Sequence, residues 1–122
     1  MAEKLHAYTR TYEGERTNTR VKDLVDLTLI AELSRLDAVR LHAAIASTFA
    51  RRDAHPAPSR LPSAPLEWAR QFRRLAEVVG VPLDVAVGHR ESAALLDPIL
   101  SGEATYGSWD PERRRWTDRE AP

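Results

Sequence analysis

Cysteine is absent from the 122 residues, which excludes disulfides, thiolate metal sites and a cysteine nucleophile together. Lysine is scarce: Lys4 and Lys22 stand alone among the 18 basic residues, and the rest are arginines. No stretch approaches the roughly 18 apolar residues that a membrane-spanning helix requires. The first residues lack the apolar core of a signal peptide, so a cytoplasmic protein with no membrane partner is expected. Net charge is absent too, with 18 acidic side chains against 18 basic ones. That balance removes any general electrostatic pull toward nucleic acid. The sequence contains no internal repeat and no long low-complexity segment.

What is present is ordinary for a globular protein: 43% apolar and 30% charged residues. The length suits one domain with a modest core, and residues 1–122 are read as a single helical domain. A first helix over residues 2–10 has no N-cap before it and looks like the end of a longer helix. Residues 11–18 (TYEGERTN) are polar and read as a loop. A second helix follows from Thr19 or Arg20 to Leu33, capped by Asn18 or Thr19, with apolar rows at helical spacing. Asp37 is placed to cap a third helix, 38–52, whose buried face would combine Val39, Ala43 and Ala46 with Leu41, Ile45 and Phe49.

Residues 53–65 (DAHPAPSRLPSAP) carry four prolines and no glycine, which predicts a stiff, extended connection. Ser63 and Pro65 have the cap-then-proline order that opens a helix. That fourth helix turns Trp68, Phe72, Leu75, Ala76 and Val79 inward and stops at Gly80. Asp84 caps a fifth, 85–100, with Ala94, Leu95 and Ile99 as core residues and Pro98 set to bend it or end it early. Residues 101–122 are broken by Gly102, Gly107 and Pro111, and Trp109 and Trp116 flank the run DPERRR. The tail reads as a short hairpin or an extended strap anchored by the two tryptophans. The fold class is therefore all-α: a compact bundle of about five helices with an irregular or short β-like tail.

Charge inside the second helix carries the chemistry. Lys22 and Asp26 are four residues apart and Arg20 and Asp23 three apart, so each is an ordinary surface pair worth a few tenths of a kcal/mol. His6, His42, His55 and His89 have no ligand spacing. Arg51-Arg52, Arg73-Arg74 and Arg113-Arg114-Arg115 are solvated faces first and phosphate contacts second. Trp109 and Trp116 are candidates for base stacking but better suited to anchoring the tail.

Taken with AEKLHA around Lys4, the run R-x-K-D-L-x-D-L from Arg20 to Leu27 resembles the later motifs of AbiEii/AbiGii-type nucleotidyltransferase toxins. LLDPIL (95–100) and WDPERRRW (109–116) are similar to the closing part of that family. The resemblance spans nearly the whole sequence but only the C-terminal portion of the family's usual chain. It implies the C-terminal helical part of a polymerase-beta-like enzyme that moves a nucleoside monophosphate from an NTP to an acceptor such as tRNA. It also implies pairing with an AbiEi-type antitoxin. Carried over, Lys4 would meet the triphosphate, and Asp23 would sit near the attacking hydroxyl as base or orienting group, or help hold the metal. Arg20 and Lys22 would support phosphate and substrate, while Asp26 and His6 would back them from behind.

Two metals would normally complete such a site, held by a G-S-x-x-x-D-x-D motif. The sequence has no D-x-D, and its single Gly-Ser, Gly107-Ser108, leads only to Trp109 and Asp110. The expectation is therefore a chain without its own metal ligands and inactive alone. NTP and Mg2+ would be used only once a missing N-terminal half is supplied. The alternative is a non-catalytic helical protein-interaction domain or a truncated remnant. Burial and mutual pairing of Lys4 and Asp23 would argue against catalysis.

Overall fold

The computed structural model describes residues 1–9, 17–52 and 57–117. Five helices form the body: α1 (Ala2–Thr9), α2 (Thr17–Leu33), α3 (Ala38–Arg52), α4 (Ala69–Val79) and α5 (Val85–Leu100). A 3₁₀ turn, Leu66–Trp68, leads into α4. Three short strands make one antiparallel sheet in the order β1 (Leu36–Asp37), β2 (Ser108–Asp110), β3 (Arg115–Thr117). The described part is thus mostly helical with a small sheet near its C-terminal end. No helix among the described residues is long and apolar enough to cross a membrane.

α2 lies at the centre because it is apolar on more than one side. Val21, Leu24, Leu27, Thr28 and Ala31 are all fully buried, and α1, α4 and α5 pack around it. The α2–α5 crossing closes on a polar contact inside the core. Thr28 Oγ1 donates to the Leu24 carbonyl at 2.9 Å and lies 3.2 Å from both the Gly88 carbonyl and Ser92 Oγ. Gly88 is required there: a Cβ would stand 2.4 Å from Phe72 Cζ and 3.1 Å from Thr28 Oγ1.

Several local signals act as the sequence suggests. Asp37 Oδ2 accepts from Arg40 N (2.9 Å) at the start of α3. Asp84 Oδ1 accepts from Ala86 N (2.8 Å) at the start of α5, each satisfying an orphan helix donor. Gly80 ends α4 in the left-handed conformation, φ 85°, with its N–H on the Ala76 carbonyl. The tail is a hairpin in which Trp109 and Trp116 are cross-strand partners, their rings 5.7 Å apart and edge to face. Trp109 Nε1 donates to the Ala31 carbonyl and Trp116 Nε1 to the Leu95 carbonyl, each at 2.8 Å. Ala31 sits in the last turn of α2, where carbonyls lack helical donors, so Trp109 closes that end as it fills the core.

Other readings need correction. α2 begins by Thr17, so Asn18 and Thr19 are inside the helix and neither is its cap. Residues 11–16 of the expected loop lie outside the described residues, as do 53–56 with His55 and 118–122. On α3, Leu41, Ile45 and Phe49 are buried, but Val39 is 56% exposed and Ala43 and Ala46 also face solvent. Among the described residues α3 packs through its Leu41, Ile45 and Phe49 side, and the alanine row is on the other. Ser63 does not cap: the 3₁₀ turn opens at Pro65 with no side-chain bond, and Val79 and Ala94 are likewise exposed rather than core. Pro98 does not stop α5, which continues to Leu100. Pro98 costs only the donor that Ala94 O would have received. β1 was not foreseen, since a two-residue strand has no sequence signal of its own and is made by its pairing with β2.

Residues 57–65, the described part of the proline-rich connection, form no helix or strand and are tied to α5 and α1. Leu61 N donates to Asp97 Oδ1 (2.7 Å), the Leu61 carbonyl meets His89 Nε2 (3.2 Å), and the Pro62 carbonyl accepts from Tyr8 Oη (2.8 Å).

Candidate functional site

α1 is short, yet half of its residues are buried. Ala2, Leu5, His6 and Tyr8 form the inward stripe that seats it on α2 and α3. Lys4 lies between these buried positions, and its ammonium reaches the first half of α2. Its Nζ is 2.9 Å from Asp26 Oδ2 and 3.7 Å from Asp23 Oδ1. Lys22, one turn before Asp26 on the same helix, places its own Nζ 3.3 Å from the same Asp26 oxygen. Four of the six residues singled out from sequence thus form one cluster of two cations and two anions. It joins residues nineteen positions apart, from Lys4 to Asp23.

The members differ in how far they see water. The Lys4 side chain is 40% exposed, whereas Asp23 is only 4% exposed. One Asp23 oxygen faces Lys4 and the other, Oδ2, is buried without a hydrogen-bond partner. Burial pushes the Asp23 carboxyl above its ordinary value, Lys4 pulls it back, and nearby Asp26 pushes it up again. The outcome is an upward shift. Lys4 shifts upward as well, mainly through its bond to Asp26, against the opposing effect of partial burial. Its charge is therefore fixed at any physiological pH.

The other two residues take different places. His6 is buried, its ring edge-on to Phe49 of α3 with centroids 4.9 Å apart. Arg20 is half-buried, and its charge lowers the Tyr8 phenol against the larger upward push of burial. Both are within the α1–α2–α3 packing. As to metal, the described residues assemble no group of three or more His, Asp or Glu side chains able to hold an ion. The Asp23–Asp26 pair, already facing Lys4, does not by itself fit a two-metal centre.

A second charged cluster was not read from the sequence. Arg114 on the hairpin reaches Glu32 of α2 (3.2 Å) and Glu91 of α5 (3.6 Å). Burial, with a hydrogen bond to Glu32 and its charge, lifts the Glu91 carboxyl to about 7. Arg114 holds a left-handed backbone, φ 54°, at the end of the β2–β3 turn. The only sequence signal was the arginine run itself, which did not say which arginine turns inward.

What this arrangement offers chemically is two lysine ammonium groups, paired with aspartates at a partly open edge, beside a buried carboxylate with one unpartnered oxygen. Residues 1–116 match the family model described as nucleotidyl transferase AbiEii toxin, type IV toxin–antitoxin system. No curated protein and no solved structure matches. With nearly its whole length matched, the chain belongs to the AbiEii nucleotidyl transferase toxin family.

Proposed function

We propose that the Lys4–Asp23 cluster is the helical side of a nucleotidyl-transfer site, moving a nucleoside monophosphate from an NTP to a hydroxyl acceptor such as the end of a tRNA. The observation that carries this reading is Asp23, a buried carboxylate with one unused oxygen beside a partly exposed lysine. Phosphoryl transfer depends on positioning and on neutralising the charge that develops on the transferred group. Lys4 and Lys22 supply that charge to the triphosphate by exchanging their hold on Asp26 for phosphate oxygens. Asp23, lifted toward working pH by burial, orients the acceptor hydroxyl and takes its proton. Arg20 and His6 keep α1 and α2 in register, and Asp26 holds the lysines until substrate arrives. The metal-binding carboxylates come from residues outside these 122, so the chain alone does not transfer. The partner outside the reaction is an antitoxin of the AbiEi type, and the setting is the cytoplasm.

The test is transfer of label from each of the four α-labelled NTPs to total tRNA. It compares the chain alone with the chain joined to a metal-bearing nucleotidyltransferase half. Transfer by the joined protein, lost in Lys4→Ala and Asp23→Asn, is the result expected. Transfer that persists in both variants would remove the proposed roles.

One observation favours a second reading. Lys4 already has two carboxylate partners, as a structural clasp between α1 and α2 would require. A non-catalytic interaction domain that binds the antitoxin predicts a complex whose affinity does not respond to NTP. A site that works as proposed predicts competition between the two where the antitoxin covers Lys4.

A further inference from the structure

The hairpin and the end of α5 enclose an open cleft of about 600 Å3 that shares no residue with the Lys4 cluster. Its volume is in the ordinary range for small-molecule sites. Three kinds of group converge on it. Trp116 gives a half-buried indole, held in place by its N–H bond to the Leu95 carbonyl. Tyr106 adds an aromatic side chain that is 51% exposed and lines the cleft. Arg115 adds a solvent-facing guanidinium, in contrast to its neighbours Arg113 and Arg114, which are paired with Asp110 and with Glu32 and Glu91.

Residues with free acceptors line the cleft as well. Ala94 and Pro98 both line the cleft, and because proline has no N–H the Ala94 carbonyl lacks its helical donor. The Glu103 carboxylate is close by on the loop after α5. Two aromatic side chains, one uncommitted cation and acceptor-bearing residues lining one cleft match an aromatic heterocycle that carries amino groups and an attached anion. An apolar ligand would leave Arg115 and Glu103 unused, and a bare phosphate would leave the rings unused.

We infer that this cleft binds one nucleotide unit. Its base stacks on Tyr106 and Trp116 with its amino edge toward Ala94 O and Glu103, and its phosphate lies on Arg115. Trp109 takes no part, since it is fully buried. The unit could be a free mononucleotide or one residue of a single-stranded RNA, and the chemistry is the same for both. The inference does not depend on the transfer reaction, because every residue it uses is outside the Lys4 cluster.

The test is titration of the full chain with AMP, with a single-stranded hexaribonucleotide and with inorganic phosphate, followed by tryptophan fluorescence. Quenching by AMP identifies a free-nucleotide site, and quenching by the hexamer alone identifies an RNA-strand site; both support the inference. Tyr106→Ala should weaken binding by about 5- to 100-fold, the range for loss of one stacked base. Arg115→Ala should weaken it and reduce the salt-dependence slope by about one. Both residues are exposed, so neither variant should disturb folding, and Arg40→Ala on α3 should leave binding unchanged. The inference falls if neither nucleotide ligand quenches, or if phosphate alone binds as well as AMP. It also falls if Tyr106→Ala and Arg115→Ala bind as the parent does, or if Arg40→Ala weakens binding equally.

Discussion

Replacing Gly88 by alanine opposes two effects of known sign. In a helix interior alanine is favoured over glycine by up to about 1 kcal/mol, so helix propensity alone predicts a more stable protein. The α2–α5 crossing predicts the reverse. The new methyl would stand 2.4 Å from Phe72 Cζ, 3.1 Å from Phe72 Cε2 and 3.1 Å from Thr28 Oγ1. Phe72 is wholly buried, so its ring cannot swing into solvent. Relief requires α5 to move out or the ring to leave its rotamer. Overpacking of this kind costs about 1–3 kcal/mol, which leaves a net loss of up to about 2 kcal/mol after the full propensity gain. For a domain of this size that is a fall in Tm of up to roughly 8 °C. Thermal and urea unfolding followed by circular dichroism would measure it. Phe72→Leu shortens the offending ring, so the double variant Phe72→Leu/Gly88→Ala should lose less than the sum of the single losses. A more stable Gly88→Ala, or strict additivity, would show that the crossing has slack and refute the argument.

Four further outcomes follow from the charged clusters and the hairpin. Asp23→Asn should leave urea stability at pH 7 unchanged or raised by up to about 1 kcal/mol, because burial outweighs the attraction of Lys4 for the ionised form; a loss above that figure would contradict the sign. Glu91 has its folded-state value raised from 4.5 to about 7, so its contribution is full below its unfolded value and is lost as pH rises through about 7. Unfolding free energy should therefore fall by on the order of 2 kcal/mol more between pH 4.5 and 7.5 in the parent than in Glu91→Gln, and parallel pH profiles would count against it. Trp109→Phe removes the donor to the Ala31 carbonyl and part of a fully buried ring, so urea unfolding should show a loss of about 2–4 kcal/mol. Asp26→Asn frees both lysines at a cost of about 0.5–1 kcal/mol, and calorimetry with ATP should show tighter binding than the parent; weaker binding would mean that Asp26 helps hold the nucleotide.

What could be read from the sequence is what local chemistry decides. Asp37, Asp84 and Gly80 act at helix ends through bonds to residues two to four positions away, so their roles need no knowledge of the rest of the chain. The tryptophan anchors were legible from size alone. Choosing among apolar rows was not, because Val39, Ala43 and Ala46 have the same periodicity as Leu41, Ile45 and Phe49. Only the absence of a neighbour on one side of α3, among the described residues, separates them. Strand β1 and the Arg114 clasp depend on partners tens of residues away. Within the candidate site, the Lys22–Asp26 pair follows from helix spacing. That Lys4 would lie nearer to Asp26 than to Asp23 depends on how α1 docks, which no spacing rule contains.

The two aspartates of the cluster are held differently. An ion pair kept for stability should lower its carboxylate below the ordinary value, since the folded state then favours the charged form. Asp26 is the aspartate closest to both lysines, with the same oxygen 2.9 Å from Lys4 Nζ and 3.3 Å from Lys22 Nζ. Asp23 is held differently, deeper, with Lys4 farther off and with one oxygen unmatched. The folded state keeps that carboxylate at a cost which an asparagine of the same shape would avoid. A buried carboxylate shifted against its own stability beside a fixed cation is what the proposed function requires of Asp23. The two lysines sharing Asp26 complete the argument. Both lysines hold Asp26 and Lys4 also faces Asp23, so the cluster of two cations and two anions is charge-balanced at rest; under the proposed function, an arriving triphosphate would gain the two cations by taking them from these carboxylates.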